Sequence, residues 1–165
     1  MGFQYSLRNF SNPFKRFIAA FVLVLGIGYF TGLLFVNQTE STSPGGVVEN
    51  YNGNEDVAEV KVMKFKKGKR EMLTIIHTHV LSLSFIFFLL GVLVWGTDIS
   101  VQWKSFLSIE PFLSVLTTFG GIYLIWLEIP FVSYLVILSG TLMTFSFIAG
   151  AFFVFKSLLK TPLKN

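Results

Sequence analysis

Four long apolar runs set the pattern of this chain: Phe17–Val36, Leu73–Trp95, Leu107–Leu127 and Phe131–Phe155. A helix rises about 1.5 Å per residue, so about twenty apolar residues cross the roughly 30 Å of a bilayer's hydrocarbon core. A soluble domain of this length concentrates its apolar residues on one face of each element, whereas here they are continuous. The pattern predicts an all-α fold, an integral membrane four-helix bundle with spans at 17–36, 73–95, 107–127 and 131–155. Only Glu128-Ile129-Pro130 separates the last two runs, which makes those helices antiparallel neighbours, with Pro130 ending one and starting the next. The first run exceeds the apolar core of a secretory signal, and Asn37-Gln38-Thr39 offers no small-residue cleavage site, so it is expected to stay as a span.

The polar segments complete the plan: a basic tail at 1–16, a loop at 37–72, a short connection at 96–106 and a second basic tail at 156–165. The long loop is too short to build its own core, so it is expected to lie against the membrane or a partner. Within it Asn52-Gly53-Asn54 reads as a turn, and Val57–Phe65 alternates imperfectly, fitting a short strand or an amphipathic helical turn equally. Basic residues divide almost evenly between the two sides. Arg8, Lys15, Arg16, Lys104, Lys156, Lys160 and Lys164 oppose Lys61, Lys64, Lys66, Lys67, Lys69 and Arg70. The acid-free basic segment before the first span breaks the tie and places both termini in the cytoplasm, with loop 37–72 periplasmic.

Composition agrees with a chain that lives in lipid. Of 165 residues 53% are apolar and 13% charged, against about 25% charged in soluble domains, and mean hydropathy is +0.67. With no cysteine, disulfides, thiolate metal sites, cysteine nucleophiles and cysteine lipidation are all excluded. The net charge of +4 comes from lysines and arginines flanking the spans, so nucleic acid is not an expected partner. The bilayer is one, together with other membrane subunits or a homo-oligomer. The 20 phenylalanines suit lipid-facing positions. No P-loop, zinc-protease motif, nucleophile–base pair or two-carboxylate cleft is present, which leans against an enzyme.

Ionisable residues within a span are costly and so are the natural candidates for chemistry. His77 and His79 lie near the start of the second span, and the topology puts them at the depth of Glu128, Ser133 and Tyr134. On a regular helix residues two apart diverge by about 200°, so the two imidazoles suit two centres better than one shared ion. Thr74, Thr78 and Ser82 recur every fourth residue beside His77, which predicts that His77 faces the bundle. Glu128 opposes the dipole of the helix it ends and calls for a neutralising partner, for which a histidine is the first choice. It is otherwise an interfacial anchor beside Trp126. A cation path through His77, Glu128 and Tyr134 is the sharp version of this pole. Glu49, Asn54 and Glu55, with Asp56 and Asn52, offer hard oxygens around a glycine turn, in principle for Ca²⁺, although a solvated acidic turn is the simpler reading. Glu110 precedes Pro111 in an expected first helical turn and reads as structural. Gly28/Gly32 and Ser146/Gly150 are small-x-x-x-small pairs suited to close helix packing.

Two resemblances rest on these residues. His77-Thr-His-Val-Leu-Ser-Leu-Ser-Phe-Ile-Phe resembles the His-x-His helix of heme-copper oxidase subunit I, whose imidazoles serve separate hemes; this implies heme or a divalent metal at His77 and His79. That family needs further histidines on other helices, and this chain has only two in all. Glu49-x-Tyr51-x-Gly53-Asn54-Glu55, followed by Met63-Lys64-Phe65 and the His-x-His helix, is similar to a group of small four-helix bacterial inner-membrane proteins without assigned activity. It implies an envelope location. The leading expectation is a non-catalytic accessory subunit of an envelope or respiratory membrane complex. The alternatives are a heme- or metal-binding redox subunit using His77 and His79, with Glu128 as a further metal ligand, and a small proton or cation transporter.

Overall fold

The computed structural model describes residues 6–55 and 62–161. Within them the chain forms α1 (Asn12–Gln38), α2 (Pro44–Asn52), α3 (Lys69–Trp95), α4 (Val101–Trp126) and α5 (Ser133–Leu158), with short 3-10 turns at Leu7–Asn9 and Pro130–Val132. Four of these helices, all but α2, are long and apolar enough to cross a membrane. The chain is a helical integral membrane bundle.

Local chemistry explains the boundaries. Pro13 lies in the first turn of α1, where its missing amide has no intrahelical partner to lose. The Ser43 side chain caps α2 by accepting from the Gly46 amide at 3.1 Å, and Pro44 opens that helix. Gly53 ends it with φ +81°; a Cβ there would lie 2.8 Å from both the Lys64 carbonyl oxygen and the Lys66 nitrogen, so only glycine fits. The loop expected between the first two spans therefore holds a helix of its own. Phe65 returns to form an antiparallel bridge with Gly53, and most of the alternating stretch Val57–Phe65 lies outside the described residues.

The third span begins earlier than its apolar run. α4 starts at Val101 rather than near Leu107, because Lys104 is the one charged side chain in its first two turns and its Nζ reaches back 3.1 Å to the Trp95 carbonyl. That bond satisfies an end carbonyl of α3 and lets the helix start inside the expected loop.

α4 and α5 form the central pair, and α3 packs across both. Of the apolar stretch of α4, 44% is buried, against 11% for α1, which marks α4 as the core helix and α1 as the outermost. Lipid provides no hydrophobic force between helices, so close backbone approach and internal polar bonds must hold them. Both are present. Gly121 of α4 faces Val136 and Val132, the Thr118 and Ser139 hydroxyls bond at 2.7 Å, and Gly150 of α5 packs on Leu90 and Val94 of α3. α1 leans on α5 through Tyr29, whose ring stacks on Phe147 with centroids 4.0 Å apart and meets Phe87 edge-on.

The two termini meet at one end. The Leu7 amide donates to the Gly96 carbonyl at 2.8 Å, and Asp98 gathers Ser6 at 3.0 Å, Lys160 at 3.1 Å and Arg8 at 3.5 Å. Burial alone would raise the Asp98 carboxyl, but hydrogen bonds from Lys160 and Ser6 and the charges of Lys160 and Arg8 outweigh it and hold the carboxyl below its ordinary value.

The central pair gives a direct test. A Cβ at Gly121 would lie 2.6 Å from Val136 Cγ2, so Gly121→Leu should overpack the α4–α5 contact and cost about 1–3 kcal/mol, measured as an earlier midpoint in denaturing-detergent titration. Gly26→Leu, in open surroundings on α1, should leave the midpoint where it is.

Candidate functional site

At the end opposite the termini, α2 and residues 62–68 are clamped to the ends of α3 and α4. Asn52 Nδ2 donates to the Ile125 carbonyl at 2.6 Å, and Trp126 Nε1 donates to the Lys67 carbonyl at 2.7 Å. The Ile125 carbonyl accepts from the Glu128 amide as well, at 2.8 Å, so the Asn52 side chain shares it with the turn that ends α4. Inside the clamp Asn54 is buried. Its amide donates to the Lys64 carbonyl at 3.0 Å, its Nδ2 to the Val62 carbonyl at 3.1 Å, and its Oδ1 accepts from the Lys64 amide at 2.7 Å. Glu49 accepts from Asn54 at 3.5 Å and Glu55 from the Lys66 amide at 3.4 Å. Of the oxygens that suggested Ca²⁺, those of Glu49, Asn54 and Glu55 bond within the loop, Asn52 Oδ1 is buried without a partner among the described residues, and Asp56 lies outside them. Tyr51, from the same motif, is largely enclosed, and burial pushes its hydroxyl above the ordinary tyrosine value.

Glu128 does find a neutralising partner, but it is Lys66 at 2.6 Å and not a histidine. Residue 128 has φ +68° at the end of α4, which turns the side chain outward toward the returning loop. The Lys66 ammonium lowers the Glu128 carboxyl from its ordinary value, through the hydrogen bond first and its charge second. Lys66 also sits 6.0 Å from the centroid of the Trp126 ring.

The two histidines diverge as helical spacing requires and both are exposed, and His77 does not face the bundle as expected. His79 is the one that meets a neighbouring helix, its ring stacked on Phe119 of α4 at 5.1 Å. Its Nδ1 lies 2.7 Å from the Ile75 carbonyl; a carbonyl only accepts, so Nδ1 carries the proton. His77 faces outward along a shallow groove with Lys69, Arg70, Leu73 and Thr74. The Thr74, Thr78 and Ser82 stripe is exposed too. Thr74 bonds the Arg70 carbonyl at 2.9 Å and Ser82 the His79 carbonyl at 3.4 Å, and hydroxyls satisfied on their own helix have no need to face the bundle. Ser133 is buried and Tyr134 exposed. Among the described residues no three of His, Asp and Glu converge, so His77, His79 and Glu128 do not share one centre, and neither histidine bonds Glu128.

The ionisable residue that the fold does draw inside is Glu110. It lies nine residues into α4, whose bounds are Val101–Trp126, within about 5 Å of the helix midpoint. Ser114, one turn on, donates to one carboxylate oxygen, and Ser146 of α5 donates to the other. Both serines are buried, at 4% and 1% exposure, while Glu110 itself is partly accessible. A charge at the centre of a spanning helix costs about 2.5–3.5 kcal/mol on insertion scales, so each hydroxyl has substantial work to offset. Nearby on α1 the Tyr29 hydroxyl bonds Thr144 of α5 at 3.2 Å. Glu110 does not lie in a first helical turn as expected, because Pro111 is inside α4 and does not start it. The available signal was the four-residue spacing of Glu110, Ser114 and Thr118, a polar line along one face of the helix.

Residues 41–165 match the Aq_1264_TM family, described as a transmembrane helical domain, and the chain belongs to this family. No curated protein and no solved structure shows a significant match. The matched segment takes in α2 through α5 and leaves α1 outside.

Replacing each histidine in turn separates their roles. His79→Ala removes the ring between α3 and Phe119 and should lower the melting temperature of the purified protein, whereas His77→Ala, in the open groove, should melt as wild type does. Equal melting of the two variants would contradict this assignment.

Proposed function

We propose that this member of the transmembrane helical domain family is a non-catalytic accessory subunit of an envelope or respiratory complex in a bacterial inner membrane, and that α1 is its docking element. The openness of α1 carries the reading. Gly26, Gly28 and Gly32 have no neighbouring atom within 4 Å of the Cβ each would bear, and only Ile18 and Val22 of this helix are buried. α1 also lies outside the matched family segment, as an added helix would. Gly28 and Gly32 share one face, so a helix of another subunit can approach the backbone there without side chains between. The occupant is a partner's transmembrane helix. Any heme or metal held at the histidines would share that assembly, because His77 and His79 point apart and each would require an opposing ligand from another chain.

Orientation follows from the basic residues: both termini in the cytoplasm and the α2 loop in the periplasm. Arg8 and Lys160 are fixed around Asp98 at the end that this assigns to the cytoplasm.

For docking, gently solubilised membranes should show the wild-type chain in a species larger than the purified protein on native gels. Gly32→Ile should release it without changing its own melting. An unchanged large species would remove α1 as the docking element, and a large species made only of this chain would replace the partner subunit with a second copy. Orientation is read from single cysteines in this cysteine-free chain. An impermeant maleimide added outside spheroplasts should label Thr42→Cys and spare Ser100→Cys, both of which are exposed positions; the reverse pattern inverts the topology.

A further inference from the structure

Glu110 adds a charged group to an α4–α5 seam that Gly121 against Val136 and the Thr118–Ser139 bond also hold without charge. Yet it is provided with two buried hydroxyls from two helices, one for each carboxylate oxygen. The ion pairs among the described residues all lie at the ends of the helices, and none includes Glu110. Its charge is therefore not cancelled by a protein cation. Serine hydroxyls can donate to a carboxylate, accept from a carboxylic acid, or offer an oxygen to a small cation, so the pair accommodates a filled and an empty site without rebuilding. Glu110 is also partly accessible, while Ser114 and Ser146 are not, so the carboxyl forms the open side of the cluster.

We propose that Glu110, with the hydroxyls of Ser114 and Ser146, is an intramembrane site that takes up one monovalent cation, a proton or a sodium ion. Uptake of a proton joins it to one carboxylate oxygen and breaks no bond; uptake of sodium adds one ion to the oxygen set. Either takes the site from one negative charge to none. The groups around it leave this event to Glu110. From α1 the titratable neighbour is Tyr29, within electrostatic reach of the carboxylate and hydrogen-bonded to Thr144. From α5 the site meets Ser146, beside Phe147, and from α3 the same level presents Phe87, Leu90 and Gly91, none of which titrates in water. The site is independent of docking through α1 and of the histidines.

Dicyclohexylcarbodiimide, an apolar reagent that adds to carboxylic acids within membranes, tests this on the purified full chain in liposomes, with the adduct located by mass spectrometry. Glu110 should be modified, faster as the pH falls, and Glu110→Gln should lose the adduct. Ser146→Ala should change the rate by roughly tenfold, the worth of one hydrogen bond to a charged group, whereas Thr42→Ala, in the distant loop, should not. Slower labelling in sodium than in potassium at equal ionic strength identifies sodium as the ion; equal rates identify the proton. Infrared difference spectra on acidification give a second reading, as a carboxylic-acid carbonyl band that Glu110→Gln abolishes. Absence of both the adduct and the Glu110-dependent band in the wild type overturns the proposal, as does an adduct that survives in Glu110→Gln.

Discussion

The hydrogen bond between Ser146 and Glu110 joins the two helices on which the remainder of the bundle is assembled. In hydrocarbon a polar group has no water to fall back on, and each one placed there must be answered by the protein itself. Along one seam of α4 and α5 this is met at Glu110, which Ser114 and Ser146 serve, and at the Thr118–Ser139 pair, with Gly121 bringing the backbones close, whereas the buried hydroxyls of Ser108 and Ser157 have no partner among the described residues. α3 can then pack across the pair with largely apolar contacts. α1 adds little burial and is held chiefly by Tyr29 and by the tail that precedes it. The order of burial, α4 first and α1 last, follows from where the polar bonds lie.

The two ends are built from the same kinds of residues by different means. At the termini end, Asp98 collects cations from both tails, so the first and last segments of the chain are fastened to the connection between α3 and α4. At the other end, the Asn52 and Trp126 side chains carry the attachment by donating to the Ile125 and Lys67 carbonyls, with the Lys66–Glu128 pair on the outside. Exposed pairs of that sort add modestly to stability. The indole of Trp126 and the amide of Asn52 reach backbone carbonyls at 2.7 and 2.6 Å, and they fix the loop more firmly than its charges do.

Spans are the most legible feature of such a sequence, because twenty continuous apolar residues have few other uses. The chain's membership of a transmembrane helical family agrees with that reading. What periodicity could not convey was which residues a neighbouring helix would meet. His77 sits beside three hydroxyl residues that look like an interior stripe, yet each hydroxyl of Thr74 and Ser82 is satisfied by its own helix. Glu128 is a carboxylate near histidines in depth, but the loop brings Lys66 closer, a contact between residues 62 positions apart. Glu110 was obscured by Pro111, whose usual place is a first turn. Buried among packed helices, Pro111 is tolerated at mid-span, and the amide it lacks leaves the helix free to bend there.

The connection of Glu128-Ile129-Pro130 has a consequence for how the chain enters a membrane. When α4 leaves the ribosome, Ser114 can already serve one oxygen of Glu110, but the other waits for Ser146, which is synthesised 36 residues later. Alone in lipid, α4 would expose half of a carboxylate, whereas the tight turn delivers α5 as the next element alongside it. The hairpin rather than the single helix is thus the smallest piece of this protein that a bilayer can receive with every oxygen of Glu110 answered, which couples the partition of one span to the arrival of the other.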